Sequence, residues 1–246
     1  MSSKRFENKT IIVTGAAGGI GEAYARALAA EGANVVVADL ADEKGKQVAA
    51  DIGGLYVSTD VADEDSAKAL ATATVEAYGS IDGLVNNAAI YGGMKLDFLI
   101  TVPWDYYKKF MSVNLDGALV CTRAVYRKMA KRGGGAIVNQ SSTAAWLYSN
   151  FYGLAKAGVN SLTQQLATEL GGQNIRVNAI APGPIDTEAN RTTTPQEMVA
   201  DIVKGIPLSR MGETDDLVGM CLFLLSDQAK WVTGQIFNVD GGQIIR

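Results

Sequence analysis

Tyr152 and Lys156 stand four residues apart at the start of a helix-like stretch, in a chain of 246 residues that contains no histidine. Side chains at that spacing share one helical face, where the ammonium can favour the phenolate. A phenol titrates near pH ~10 when unperturbed, so a neighbouring cation is what would let a tyrosine accept a proton near neutrality. The same pair also occurs as a solvated surface contact on ordinary helices, and the rest of the sequence must decide between the two. The lack of histidine excludes histidine-based triads and removes the commonest zinc ligand, so no metal site is expected.

A second group of residues points to a dinucleotide. Thr14-Gly15-Ala16-Ala17-Gly18-Gly19-Ile20-Gly21 follows a β-branched run and leads directly into an alanine-rich helical pattern. Glycine lets the backbone approach a pyrophosphate, and a helix N-terminus supplies amide hydrogens and positive dipole potential. A glycine-rich turn with no ligand is the bland alternative, against which the strand-turn-helix setting weighs. About two dozen residues beyond Gly15, Asp39 ends the second apolar run, where a carboxylate accepts both adenosine-ribose hydroxyls and repels a 2′-phosphate. No arginine or lysine stands at Ala16, Ala17 or Leu40 to receive that phosphate. NAD(H) is therefore expected over NADP(H), the competing role for Asp39 being to cap the helix beginning near Asp42.

An alternation of strands and helices must hold these residues. Strands are expected at Thr10 to Val13, Asn34 to Ala38, Leu55 to Ser58, Gly83 to Val85, Ala136 to Gln140, Arg176 to Ile180 and Ile236 to Val239. Helices are expected at Ile20 to Glu31, Asp42 to Asp51, Asp63 to Tyr78, Pro103 to Lys131, Tyr152 to Leu170 and Asp215 to Leu225. Continuous apolar strands between helices imply an α/β doubly wound parallel sheet with helices on both faces, and no linker divides residues 1–246 into separate domains. Gly53-Gly54 and Gly133-Gly134-Gly135 read as turns, and Pro182 with Pro184 as stiffeners of a loop at the sheet's carboxyl edge. The polar stretch from Thr187 to Arg210 reads as a flap over the site, or alternatively as a solvated connection.

Composition narrows the partners. With 48% hydrophobic residues a substantial core is available, and 22 basic residues scattered among 26 acidic ones leave a net charge of -4, which argues against nucleic acid. The cluster Arg127, Lys128, Lys131 and Arg132 falls near a helix C-terminus, where cations complement the helix dipole. Cys121 and Cys221 lie in apolar helical patterns and read as core residues, consistent with a reduced, cytoplasmic setting. The N-terminus is polar, and no segment approaches the ~20 apolar residues of a membrane span.

Taken together these residues resemble the short-chain dehydrogenase/reductase family over nearly the whole chain. Thr14 to Gly21 is similar to its cofactor loop, Asp60-Val61 to its adenine-side acidic pair, and Asn86-Asn87-Ala88-Ala89 to the stretch after its fourth strand. Asn114, Ser142, Tyr152 and Lys156 match its catalytic set, and Pro182-Gly183-Pro184-Ile185-Asp186-Thr187 its nicotinamide-side loop. The resemblance implies a Rossmann fold and hydride transfer between a nicotinamide and an alcohol or ketone. It assigns Tyr152 as acid and base, Lys156 to the nicotinamide ribose and the phenolate, Ser142 to the substrate oxygen, and Asn114 to a water in a proton relay. Taken singly, Ser142 could be a turn hydroxyl and Asn114 a buried backbone partner. The implied cofactor contacts are Gly15, Gly18, Gly19, Ile20, Gly21, Asp39, Leu40, Asp60, Val61, Asn87, Ala88, Tyr152, Lys156, Pro182, Gly183, Ile185 and Thr187. Two departures are evident: Ala89 replaces a glycine and would narrow the space beside the cofactor, and the loop from Ser142 to Tyr152 is shorter than is common in the family.

Substrate choice is expected from Ile90, Tyr91, Thr143 to Phe151 and the flap, an aromatic rim suited to an acyl, alicyclic or steroid-like alcohol or ketone, or alternatively to a subunit contact. The segments Ile206 to Gly212 and Val232 to Gly242 look like those of beta-ketoacyl carrier-protein reductases, which usually favour NADPH, whereas Asp39 favours NAD. A homotetramer is implied by the resemblance, with the helices from Pro103 and Tyr152 at its interfaces. The rival readings are a catalytically idle NAD-binding protein, against which the full catalytic set weighs, and an epimerase or dehydratase, against which the compact length weighs.

Overall fold

The computed structural model describes residues 4–245, so Met1, Ser2 and Ser3 of the polar N-terminus, and Arg246, lie outside it. The strands are β1 (Thr10–Thr14), β2 (Asn34–Asp39), β3 (Leu55–Ser58), β4 (Gly83–Asn86), β5 (Gly135–Gln140), β6 (Ile175–Pro182) and β7 (Ile236–Val239). They form a 7-stranded parallel sheet in the order β3-β2-β1-β4-β5-β6-β7. Strand order reverses between β1 and β4, and ligands of open α/β sheets bind outside the carboxyl ends at such a switch point.

Side-chain alternation along each strand feeds two cores. Ile11, Val13, Val35 and Val37 pack beneath α1 (Gly19–Ala30), α2 (Asp42–Ile52) and α9 (Thr214–Leu225). Ile12, Val36 and Ala38 face the opposite layer, beneath α3 (Glu64–Tyr78), α5 (Gly117–Arg132) and α6 (Asn150–Leu170). Cys121 and Cys221 are buried in these two layers as free thiols, and burial pushes Cys121 up to about 12. The helix ends follow local chemistry: Asp63 accepts from the Ser66 amide to cap α3, and Gly133, at φ 102, terminates α5 in the left-handed region. Arg132, in the last turn of α5, lies 3.8 Å from the Asp82 carboxylate. Among the described residues no helix is long and apolar enough to cross a membrane.

Two expectations are corrected. The single helix from Pro103 to Lys131 is α4 (Trp104–Met111), a π-turn at Ser112–Asp116, and α5, with Pro103 as the residue before the first helical turn. A π-turn widens the helix without any breaker residue, so apolar periodicity does not register it. Strand β6 continues through Pro182, because β5 ends opposite Ile180 and the proline pairs only with Val239 of β7. Helices also occupy much of the stretch from Thr187 to Arg210: Thr187 caps α7 (Glu188–Thr193) by accepting from the Asn190 backbone amide, and Pro195 precedes α8 (Gln196–Lys204).

Candidate active site

β1 delivers Thr14 to the switch point, where its hydroxyl donates to the Val85 carbonyl and accepts from the amides of Asn87 and Ala88. The Asn87 side chain in turn donates to the carbonyls of Thr14 and Gly15, at 3.1 and 3.0 Å. The turn after β1 is thus clamped to the chain leaving β4. Gly15 has φ 63, and a Cβ there would stand 2.7 Å from the Ala88 Cα; a Cβ on Gly21 would overlap the Gly15 carbonyl. Gly18 differs, since a Cβ on it would meet nothing. It precedes α1 without a side-chain cap, so the first amides of a 12-residue helix have no side-chain acceptor. Such a cradle fits a pyrophosphate.

Beside this turn, Asp39 ends β2 with one carboxylate oxygen accepting from the Ala17 amide and the other from the Ala41 amide, both at 2.9 Å. The second bond is a local turn at the residue before α2, so Asp39 does not reach the amides inside that helix. Leu40 is exposed. Asp60 accepts from the Ala62 amide, and Val61 is buried against Gly117, where a Cβ would lie 2.8 Å from the valine side chain. Ala89 is exposed with φ outside the left-handed region, so alanine there introduces no backbone strain.

Asn114, Ser142, Tyr152 and Lys156 reach one region from three elements. Ser142, just beyond β5, accepts from the Ala144 amide and lies beside the Tyr152 phenol, where its hydroxyl favours the ionised form. Ser141 is turned away and buried, donating to Asn160 Oδ1 at 2.6 Å. The shortened loop before Tyr152 closes through a 3-10 turn at Thr143–Ala145 and through Asn150, whose φ of 46 suits asparagine and whose side chain accepts from the Tyr152 amide. Lys156 is buried, and its ammonium donates to the Gln140 carbonyl at 2.8 Å. Asn114 sits in the π-turn with its side-chain amide donating to the Phe110 carbonyl, while its buried Oδ1 has no partner. A cavity of about 10 Å³, on the scale of one water, is lined by Asn114, Lys156, Thr14 and Asn86 among others.

The electrostatics differ from the expected pairing. Burial pushes the Tyr152 phenol above its ordinary range, Tyr91 adds to the rise, and the Ser142 hydroxyl opposes it. Burial pulls Lys156 down to about 8. The ammonium lies 5.8 Å from the Tyr152 ring centre and is directed at Gln140, so desolvation outweighs its attraction for a phenolate in this arrangement.

On the far side of the cleft, Gly183 donates to the Val239 carbonyl, and Ile185 is buried in a bridge to Gly212. This holds the stretch from Pro182 to Thr187 at the mouth, with the Thr187 methyl 3.8 Å from where a Gly19 Cβ would stand. Of the expected rim, Leu147 and Tyr148 are exposed, but Phe151 is wholly buried, its ring 4.7 Å from that of Phe110. Phe151 belongs to a small core rather than the rim, because in the first turn of α6 it faces α4 and packs against Phe110. Sequence reasoning missed two features. The hub formed by Thr14 had the signal of a polar residue ending an apolar strand; the grip of Thr193 on the Tyr91 backbone, at 2.7 Å across 102 positions, had none.

Comparison with known proteins follows this geometry. The family described as Enoyl-(Acyl carrier protein) reductase matches residues 15–243. An uncharacterised oxidoreductase of Mycobacterium tuberculosis is 74% identical over 246 residues, covering 98% of this chain and 99% of that protein. The L-rhamnose 1-dehydrogenase (NAD(P)(+)) of Azotobacter vinelandii is 40% identical, over 97% of each. A solved 7α-hydroxysteroid dehydrogenase complexed with NADH and 7-oxo glycochenodeoxycholic acid superposes with a TM-score of 0.92 at 33% identity, over 99% of this chain and 98% of that one.

Proposed function

Because the chain belongs to the short-chain dehydrogenase/reductase family, oxidoreductases of CH–OH groups that use a nicotinamide cofactor, we propose that it interconverts a secondary alcohol and its ketone with NAD(H). The observation that carries this reading is the meeting of Ser142, Tyr152 and Lys156 at the end of β5, beside the clamped glycine turn. When bound, the nicotinamide takes up or supplies the hydride. Tyr152 accepts the substrate's hydroxyl proton during oxidation and returns one to the carbonyl during reduction. Ser142, beside the phenol, orients the substrate oxygen. Lys156 holds the nicotinamide ribose and carries the cation that lowers the phenol when the proton must leave. Asn114, with Oδ1 unpaired in the π-turn, holds a relay water in the small cavity beside Lys156.

On the cofactor side, Gly15, Gly18, Gly19, Ile20 and Gly21 hold the pyrophosphate, and Asp39 with Leu40 borders the adenosine ribose. Asp60, Val61, Asn87 and Ala88 line the adenosine side, and Pro182, Gly183, Ile185 and Thr187 the nicotinamide side. Asp39 supports NAD(H), since its carboxylate is held beside the turn by the Ala17 amide. Asp39→Ala should narrow the difference in KM between NAD and NADP, and a wild-type preference for NADP would refute the assignment. The rim of Ile90, Tyr91, Leu147 and Tyr148 favours an alicyclic or steroid-like substrate. A homotetramer is favoured by Trp104 and Leu154, large apolar residues exposed on α4 and α6, and sedimentation at micromolar concentration tests it. Two buried thiols agree with a cytoplasmic setting.

The decisive experiment is a screen by NADH fluorescence of alicyclic, steroid, sugar and acyl-thioester alcohols and ketones, repeated with Tyr152→Phe. Turnover should fall by about 10²–10⁴-fold in the variant while NADH binding holds within about twofold. Undiminished turnover would remove Tyr152 from its role.

A further inference from the structure

The Tyr152 ring lies between two aromatic neighbours anchored in different ways. Phe110, 6.4 Å away, is wholly buried in the core. Tyr91, at 5.2 Å and tilted by 46°, sits in the segment after β4 and is held largely by α7. The Thr193 hydroxyl donates to the Tyr91 carbonyl at 2.7 Å and accepts from the Gly93 amide at 3.0 Å, so it fixes the backbone that leaves Tyr91 and brackets Gly92. The Asn190 side-chain amide donates to the Tyr91 hydroxyl at 3.5 Å. Between these ties the chain runs flush against the helix: a Cβ on Gly92 would stand 3.4 Å from the Ala189 Cα. Helix α7 begins at the nicotinamide-side loop, so one short helix spans the mouth of the cleft and ends on Tyr91.

We propose that Tyr91 is a positioning residue that couples the α7 lid to Tyr152: Thr193 grips the backbone around Tyr91, and the Tyr91 ring holds the Tyr152 ring in its reactive orientation. The proposal rests on Tyr152 being the proton-transferring group. Closure of the lid then completes the site by packing and restricts release of cofactor, while an open lid frees both. Burial raises the Tyr91 phenol, so the ring acts as a neutral wall.

The test uses the full chain, the fastest alcohol of the screen, and two readouts: the single-turnover burst of NADH formation and stopped-flow release of NADH. At saturating alcohol Tyr91→Leu should slow the burst by about 10-fold, with equilibrium NADH affinity within about twofold, whereas the conservative Tyr91→Phe, which keeps the ring, should recover at least about threefold of that loss. Thr193→Val, which removes both hydroxyl bonds at nearly constant volume, should speed NADH release and slow the burst by about 3–10-fold, and Thr193→Ser should restore both. In the Tyr91→Leu background, Thr193→Val should slow the burst no further. Independent, multiplying effects on the burst would overturn the coupling. Should Tyr91→Leu fail to fold, the Thr193 pair still decides, because NADH release unchanged in Thr193→Val refutes the lid contact. Failure of the underlying reading is distinct: Tyr152→Phe would then retain turnover whatever Tyr91 and Thr193 do.

Discussion

Lys156→Met should inactivate the protein without destabilising it at neutral pH. Lys156 is 3% exposed, and its ammonium donates to the Gln140 carbonyl at 2.8 Å. Lowering a lysine from its ordinary value near 10.5 to about 8 by burial corresponds to roughly 3 kcal/mol, at about 1.4 kcal/mol per pH unit. Below pH 8 the ammonium is charged in both folded and unfolded chains, and the penalty is present in full. Between about pH 8 and 10.5 the folded chain loses its proton first, the unfolded chain binds more protons, and stability rises with pH. Above that window the lysine is neutral in both and the penalty is gone. Methionine removes the charge but orphans the Gln140 carbonyl, a loss of about 1–3 kcal/mol. The variant should therefore range from equal stability to about 2 kcal/mol more stable at pH 7, and fall about 1–3 kcal/mol below wild type near pH 10.5. Urea unfolding of both proteins at matched concentration across this range reads out Lys156 and the phenol beside it, since the titrations remote from Lys156 are common to the pair. A stability difference that does not change with pH would refute the buried, strained ammonium.

Ser142→Ala removes the hydroxyl that lowers the Tyr152 phenol, so the rise of kcat/KM for alcohol oxidation with pH should move to higher pH; an unmoved profile would place Ser142 away from the phenol. Phe151→Ala should cost about 3–5 kcal/mol in urea unfolding, because the ring is wholly buried against Phe110, whereas an unchanged stability with altered substrate KM would return Phe151 to the rim.

Much of the fold was legible because each strand carries its own periodicity. Val35-Val36-Val37 is apolar at every position, and a strand whose faces are both covered needs that pattern. The glycine turn was legible for a related reason: Gly15 and Gly21 occupy places where a Cβ meets backbone, and backbone collisions leave few alternatives. The π-turn carrying Asn114 was not legible, since it follows from hydrogen-bond register and leaves the composition of the helix unchanged.

The sequence by itself determined the alternating α/β order, the turn that fits a pyrophosphate, and the residue types available for proton transfer. These depend on local conformational limits and on the acid-base chemistry that a histidine-free chain leaves to its tyrosines, lysines, cysteines and carboxylates. Tertiary structure alone decided that Phe151 faces the core, that Tyr91 rather than a nearer neighbour meets Tyr152, and that burial governs the titration of both Tyr152 and Lys156. Desolvation and ring contact depend on what the rest of the chain brings within a few ångströms, and the spacing of four residues that places tyrosine and lysine on one face carries no record of it.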